Sequence, residues 1–169
     1  NGLVATSMSN MGLEVALKER GIELIRAAVG DRYVLEELLK RGWNLGGEQS
    51  GHIINLDHNT TGDGLSTALQ LLQVLAEKRQ PLSELAAVVQ PFPQLLVNVP
   101  VATKSGWQKN EQIKAAITEA EQALHGRGRI LVRPSGTEPV IRVMVEGEEE
   151  KMLKNLTDKI AAVIKEQLG

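Results

Sequence analysis

Short aliphatic runs alternate with helix-periodic stretches from Leu3 to Leu75, which restricts the first half of the chain to an architecture with helices layered on a sheet. Residues 3–6 and 22–28 read as strands. Between them Ser9 or Asn10 can cap a helix that runs to about Arg20 and stops at Gly21. Asp31 is expected to cap a second helix through Arg41, with Val34, Leu35, Leu38 and Leu39 at helical spacing and Gly42 closing it. Short strands are expected at 43–46 and 52–56, on either side of a glycine-rich loop. From Gly62-Asp63-Gly64 a third helix begins, and its Leu65, Ala68, Leu69, Leu72 and Leu75 form an apolar stripe. Residues 1–80 thus read as a layered α/β sheet domain.

Residues 81–93 hold three of the six prolines and read as a linker with a short helical stretch around 83–88. Beyond them the pattern restarts. A strand at 95–101, a helix at 111–124 ended by Gly126, strands at 129–133 and 140–146, and a terminal helix at 148–167 give the order β-α-β-β-α. The last helix carries Met152, Leu153, Leu156, Ile160, Val163 and Ile164 on one side. Residues 94–169 are therefore expected to form a small α+β domain, giving a fold of α/β plus α+β class.

Charge and composition narrow the function classes. Nineteen Lys and Arg against 21 Asp and Glu leave a net charge of −2, which argues against a large nucleic-acid footprint. Aromatics are confined to Tyr33, Trp43, Phe92 and Trp107, too few for a base-stacking platform. The uncharged stretch 85–103 is interrupted by Pro91, Pro93 and Pro100, so a transmembrane span is not expected. The absence of cysteine removes disulfides, thiolate nucleophiles and Cys-based zinc sites, and fits a cytoplasmic protein. A strand that begins beside Asn1, with no initiating Met and no basic-then-apolar leader, suggests a piece of a longer protein whose first domain is incomplete.

Two loops carry candidate chemistry. In Gly46-Gly47-Glu48-Gln49-Ser50-Gly51-His52, residues Glu48, Ser50 and His52 are spaced two apart and would share a face if the segment were extended. A carboxylate among glycines can accept hydrogen bonds from neighbouring sugar hydroxyls; a β-turn with a solvated Glu is the alternative. In Arg133-Pro134-Ser135-Gly136-Thr137-Glu138-Pro139, two hydroxyls and successive N–H groups make an anion nest flanked by Arg133 and Arg142. A hairpin turn with two solvated arginines is the alternative there, and phosphate binding is the favoured reading. A metal site built from His52, Asp57, His58 and Asp63 has no recognised ligand spacing and is not expected, Asp63 being better explained as a helix cap. His125 is expected to interact with the last carbonyls of its helix.

These motifs, together with Met8-Ser9-Asn10-Met11-Gly12-Leu13-Glu14, Gly30-Asp31-Arg32-Tyr33-Val34 and Thr61-Gly62-Asp63-Gly64-Leu65, resemble the α-D-phosphohexomutase superfamily, and within it the bacterial phosphoglucosamine mutase branch. The resemblance implies the third and fourth of four domains. It implies a sugar-binding loop at Glu48, Ser50 and His52, a phosphate-binding loop at Arg133, Ser135, Gly136, Thr137 and Arg142, and a cleft-lining loop at Gly30, Asp31 and Arg32. It also implies interconversion of glucosamine 6-phosphate and glucosamine 1-phosphate through a bisphosphate. The family's phosphoserine and its magnesium loop lie upstream and are not found in these residues, so no catalytic nucleophile and no metal ligand are expected here, and the chain alone is expected to be inactive. The implied partners are the phosphosugar and the missing N-terminal domains, with neither nucleic acid nor membrane among them. A mutase of phosphoglucose or phosphomannose, or a non-catalytic small-molecule module, are the competing readings.

Overall fold

The computed structural model describes residues 2–169. The chain divides into two compact units, the first ending at Pro91 and the second running from Phe92 to Gly169.

In the first unit β1 (Gly2–Thr6) and β2 (Glu23–Ala27) are parallel neighbours, joined by α1 (Met11–Lys18). The chain then passes through α2 (Asp31–Arg41) to β3 (Leu45–Gly47), also parallel to β1, and β4 (Ile53–Asn55) returns antiparallel to β3. The sheet order is β2-β1-β3-β4. Asn10 caps α1 as expected, its side-chain oxygen accepting from the Gly12 N–H at 2.9 Å. The turn before α1 is tied to the neighbouring strand by Arg26, which donates to the Ser9 carbonyl at 2.6 Å and pairs with Glu14 at 3.1 Å. Val34 and Leu38 are the inward residues of α2, packed with Val4, Ala27 and Ile54. That is the helical spacing doing what its period predicts.

Two local expectations change. Asp31 does not cap α2: Gly30 is the N-cap, with φ of 129°, and Asp31 is the first helical residue. Glycine takes the backbone conformation that a side chain would resist, which moves the helix start back by one residue. The second change concerns α3 (Gly64–Lys78), whose start Asp63 caps by accepting from the Ser66 N–H at 2.6 Å. Its leucine stripe is not buried: Leu65 is 74% exposed, and Leu69 and Leu72 are each 59% exposed. Among the described residues the helix touches the sheet mainly through a polar tie, the Asn55 amide donating to Gln70 at 2.7 Å. A short helix α4 (Leu82–Ala86) follows.

In the second unit β5 (Gln94–Pro100), α5 (Glu111–Leu124), β6 (Gly128–Pro134), β7 (Val140–Gly147) and α6 (Glu150–Leu168) follow in the expected order, with a 3-10 turn at Trp107–Lys109 added before α5. The sheet is antiparallel with β7 in the centre, in the order β5-β7-β6. Ile141, Val143 and Val145 of β7 share one core with Ile113, Ala120 and Leu124 of α5 and Leu153, Ile160 and Ile164 of α6. His125 adopts the left-handed conformation with φ of 48° and closes α5 through its own N–H, which donates to the Gln122 carbonyl at 3.1 Å. Among the described residues no helix is long and apolar enough to cross a membrane.

The two kinds of leucine respond differently to truncation. Leu38→Ala should destabilise the first unit by about 2–5 kcal/mol through the cavity it leaves. Leu69→Ala should stay within about 0.5 kcal/mol, as expected for an exposed position. Urea unfolding followed by amide signals from each unit measures both, and comparable losses would place Leu69 in a core after all.

Candidate functional site

The glycine-rich loop of the first unit is a tight turn, not an extended segment. The Gly51 N–H donates to the Glu48 carbonyl at 3.0 Å, and the Glu48 N–H donates to the His52 carbonyl at 2.9 Å. Gly51 supplies a φ of 92° at this turn. Equal-face spacing of Glu48, Ser50 and His52 therefore does not apply. The loop joins two antiparallel strands whose register leaves too few residues for a straight run. Glu48 is half-buried and Ser50 exposed at the tip.

What the structure adds is the company this turn keeps. One Glu48 carboxylate oxygen accepts the Gly30 N–H at 2.8 Å, which fastens the β2–α2 turn to the β3–β4 turn. The same contact draws Asp31 toward His52, with Oδ2 at 3.5 Å from Nε2. The other Asp31 oxygen accepts the Arg32 N–H at 2.8 Å, while the Arg32 side chain turns outward to Glu36 at 2.8 Å. Two segments far apart in sequence thus converge, because parallel β2 and β3 deliver their carboxyl-end loops to the same end of the sheet. Ser50, Gly51 and His52 also line a cleft of about 410 Å³ with Gly62, Asp63 and Thr67. Gly62 lies directly against the His52 ring, and a Cβ there would collide with it.

In the second unit the loop between β6 and β7 is organised around Ser135, which is 3% exposed. Its N–H donates to the Val140 carbonyl at 2.9 Å. Its hydroxyl accepts from the Glu138 N–H at 3.2 Å and from Arg142 Nη2 at 3.3 Å. Arg142 also pairs with Glu138 at 2.8 Å. The Ser135 hydroxyl is thus turned inward to build the loop, and Gly136 and Thr137 are the exposed members of the nest.

Arg133 and Arg142 occupy directly opposed positions of β6 and β7. Like charges in that relation repel. Burial, followed by the charge of Arg142, holds the Arg133 guanidinium below its ordinary pKa, although a guanidinium stays protonated throughout the working range. Among the described residues Arg133 has no carboxylate partner. Lys104 adds a third cation, its ammonium donating to the Ser135 carbonyl at 2.8 Å. Motif reading passes over Lys104 because it lies far from the loop in sequence. The signal was topological: β5 pairs with β7 so that Pro100 faces Val140, which brings whatever follows β5 to the loop that precedes β7.

His52 and Asp63 line one cleft, and neither Asp57 nor His58 is among its lining residues. Among the described residues no group of three His, Asp or Glu side chains is placed to hold a metal ion, so the residues present do not fit a magnesium site.

The chain matches two family models in order: phosphoglucomutase/phosphomannomutase α/β/α domain III over residues 1–92, and the C-terminal domain of the same family over residues 96–163. It belongs to the phosphoglucomutase/phosphomannomutase family. The phosphoglucosamine mutase of Geobacillus kaustophilus is 53% identical over 167 residues, covering 99% of this chain and 37% of the relative. That of Brevibacillus brevis is 55% identical over 168 residues, covering 99% of this chain and 38% of the relative. The chain therefore spans little more than a third of the length of these relatives. Among solved structures, the N-acetylphosphoglucosamine mutase of Aspergillus fumigatus superposes with a TM-score of 0.81 at 20% identity, covering 99% of this chain and 39% of that one. A family protein from Burkholderia thailandensis superposes at 0.71 with 21% identity, covering 98% and 37%. These similarities carry the fold.

Gly62→Ala is expected to push the His52 ring away from Asp31 at a cost of about 1–3 kcal/mol from overpacking. The imidazole carbon-bound proton shifts report the ring's displacement, and an unchanged His52 spectrum would show that the ring does not rest on Gly62.

Proposed function

We propose that this chain is the phosphosugar-recognition part of a phosphosugar mutase, and that the longer protein interconverts glucosamine 6-phosphate and glucosamine 1-phosphate through a bisphosphate. The observation that carries the reading is the opposed Arg133–Arg142 pair beside the exposed Gly136 and Thr137 of the loop between β6 and β7. Two arginines set opposite one another by strand register are stabilised by a dianion that accepts from both, and phosphate monoester has the charge and the oxygen geometry to do so. The 53–55% identity to phosphoglucosamine mutases supports the amino-sugar assignment over phosphoglucose or phosphomannose.

In this reading Arg133 takes the phosphate in a two-pronged hydrogen bond, and the Gly136 and Thr137 N–H groups complete its shell. Arg142 contributes while remaining anchored by Glu138 and Ser135. Glu48, with Ser50 and His52, accepts and donates to sugar hydroxyls. Gly30, Asp31 and Arg32 line the same region of the first unit, with Gly30 holding the Glu48 carboxylate in its working rotamer. A substrate whose phosphate moves between two positions needs a phosphate clamp and a hydroxyl-reading loop that tolerate both poses. Phosphoryl transfer rests mainly on such positioning and charge stabilisation. The phosphorylated serine and the magnesium site belong to other residues of the longer protein, and this chain alone does not turn over.

Titration of the isotope-labelled chain with glucosamine 6-phosphate should shift the amides of Ser135, Gly136 and Thr137, with inorganic phosphate giving a weaker version of the same pattern. Arg133→Ala should weaken binding by roughly 10- to 100-fold, the worth of a charge-assisted hydrogen bond. A response to free glucosamine but not to phosphate, or one that survives Arg133→Ala unchanged, would remove the clamp. A coupled assay on the purified chain is expected to show no mutase turnover, and turnover would overturn that part of the proposal.

A further inference from the structure

The Ser135 carbonyl and the Gly136 N–H belong to one peptide unit, and no peptide bond among the described residues is cis. In a trans peptide these two groups point in opposite directions. Lys104 holds the carbonyl from one side at 2.8 Å, so the Gly136 N–H is directed to the other side. Among the described residues neither the Gly136 nor the Thr137 N–H has a hydrogen-bond partner, and both residues are exposed. The Ser135 N–H is already committed to Val140 at 2.9 Å, which fixes the near end of the unit.

Lys104 itself is held in place. The Val101 N–H donates to the Pro139 carbonyl at 3.0 Å, so the strand that delivers Lys104 is fastened to the far end of the same loop. The Ala102 N–H donates to the Leu168 carbonyl at 2.7 Å, tying the segment to the end of α6. Lys104 is half-buried, and the hydrogen bond to Ser135 is the one partner its ammonium has among the described residues. An ammonium on a tethered segment, spent on a neutral carbonyl with no carboxylate beside it, is not explained by ion pairing within the fold.

We propose that Lys104 is the positioning residue of the phosphate loop: by gripping the Ser135 carbonyl it aims the Gly136 N–H outward as a preorganised donor to a phosphate monoester. This rests on the phosphate-clamp reading above. The ammonium also polarises the peptide, which makes the Gly136 N–H a better donor, and it adds positive potential without touching the anion. Preorganisation matters because a glycine loop left free would have to be ordered on binding.

The test compares the wild-type chain with Lys104→Ala, Lys104→Gln and Lys104→Arg. Without ligand, Lys104→Ala should shift the Ser135 carbonyl carbon and the Gly136 nitrogen while leaving the melting temperature of the unit unchanged. With inorganic phosphate and glucosamine 6-phosphate as probes, Lys104→Ala should raise Kd about tenfold, as for loss of one hydrogen bond to a charged group, and abolish the phosphate-induced shift of the Gly136 amide proton. Lys104→Arg should recover most of both, and Lys104→Gln should recover the Gly136 shift with less of the affinity. If Lys104→Ala binds phosphate as the wild type does while Arg133→Ala does not, the inference falls and the clamp stands. If affinity drops but the Gly136 shift persists in Lys104→Ala, Lys104 acts only through its charge, and the positioning role is overturned. If the wild-type chain gives no phosphate response, the clamp and the inference fall together.

Discussion

A strand sends alternate side chains to opposite faces, and β7 uses both. Ile141, Val143 and Val145 must face α5 and α6, because the core of the second unit is built on them. Once they do, Arg142, Met144 and Glu146 are committed to the other face whatever their chemistry. Pairing with β6 then sets Arg133 opposite Arg142 and Arg129 opposite Glu146. The second pair resolves into an ion pair of 2.6 Å around a fully buried carboxylate. Among the described residues the first has no such resolution within the strands, and Glu138 from the loop is the one carboxylate paired with Arg142. Hydrophobic register thereby holds two cations together that would separate if free, and the proposed phosphate clamp depends on that register being unable to slip.

The first unit reaches its site by a different route. Its parallel strands put the β2–α2 turn and the β3–β4 turn at the same end of the sheet, and a single hydrogen bond from Gly30 to Glu48 joins them. That bond engages one carboxylate oxygen, so Glu48 is oriented by the fold itself. A backbone donor at the start of a helix suits a carboxylate on electrostatic grounds as well. Asp31 and His52 are neighbours because of it, although their sequence positions give no hint of contact.

Much of this was legible in the chain. The helical periods of α2, α5 and α6, the caps at Asn10 and Asp63, and the order β-α-β-β-α all follow from local spacing and local hydrogen bonding, which act within a few residues. Where the reading strayed, tertiary partners were the cause. The α3 leucines have flawless helical spacing and remain exposed, since periodicity says that a face is apolar without saying what covers it. Glu48, Ser50 and His52 alternate in sequence but sit on a turn, because strand pairing on both sides left no room for an extended run. Asp31 yielded the cap position to a glycine whose backbone conformation was not visible in the letters.

By itself the sequence determined the two-unit α/β and α+β organisation, the family, and the two loops worth inspecting, since these rest on composition, short-range periodicity and motif identity. Tertiary structure decided which atoms of those loops are available. It buried the Ser135 hydroxyl and left Gly136 and Thr137 open, opposed Arg133 to Arg142, and brought Lys104 beneath the loop from the end of a non-adjacent segment. Those outcomes depend on strand register and on contacts between residues distant in the chain, and neither quantity is encoded in any single stretch of it.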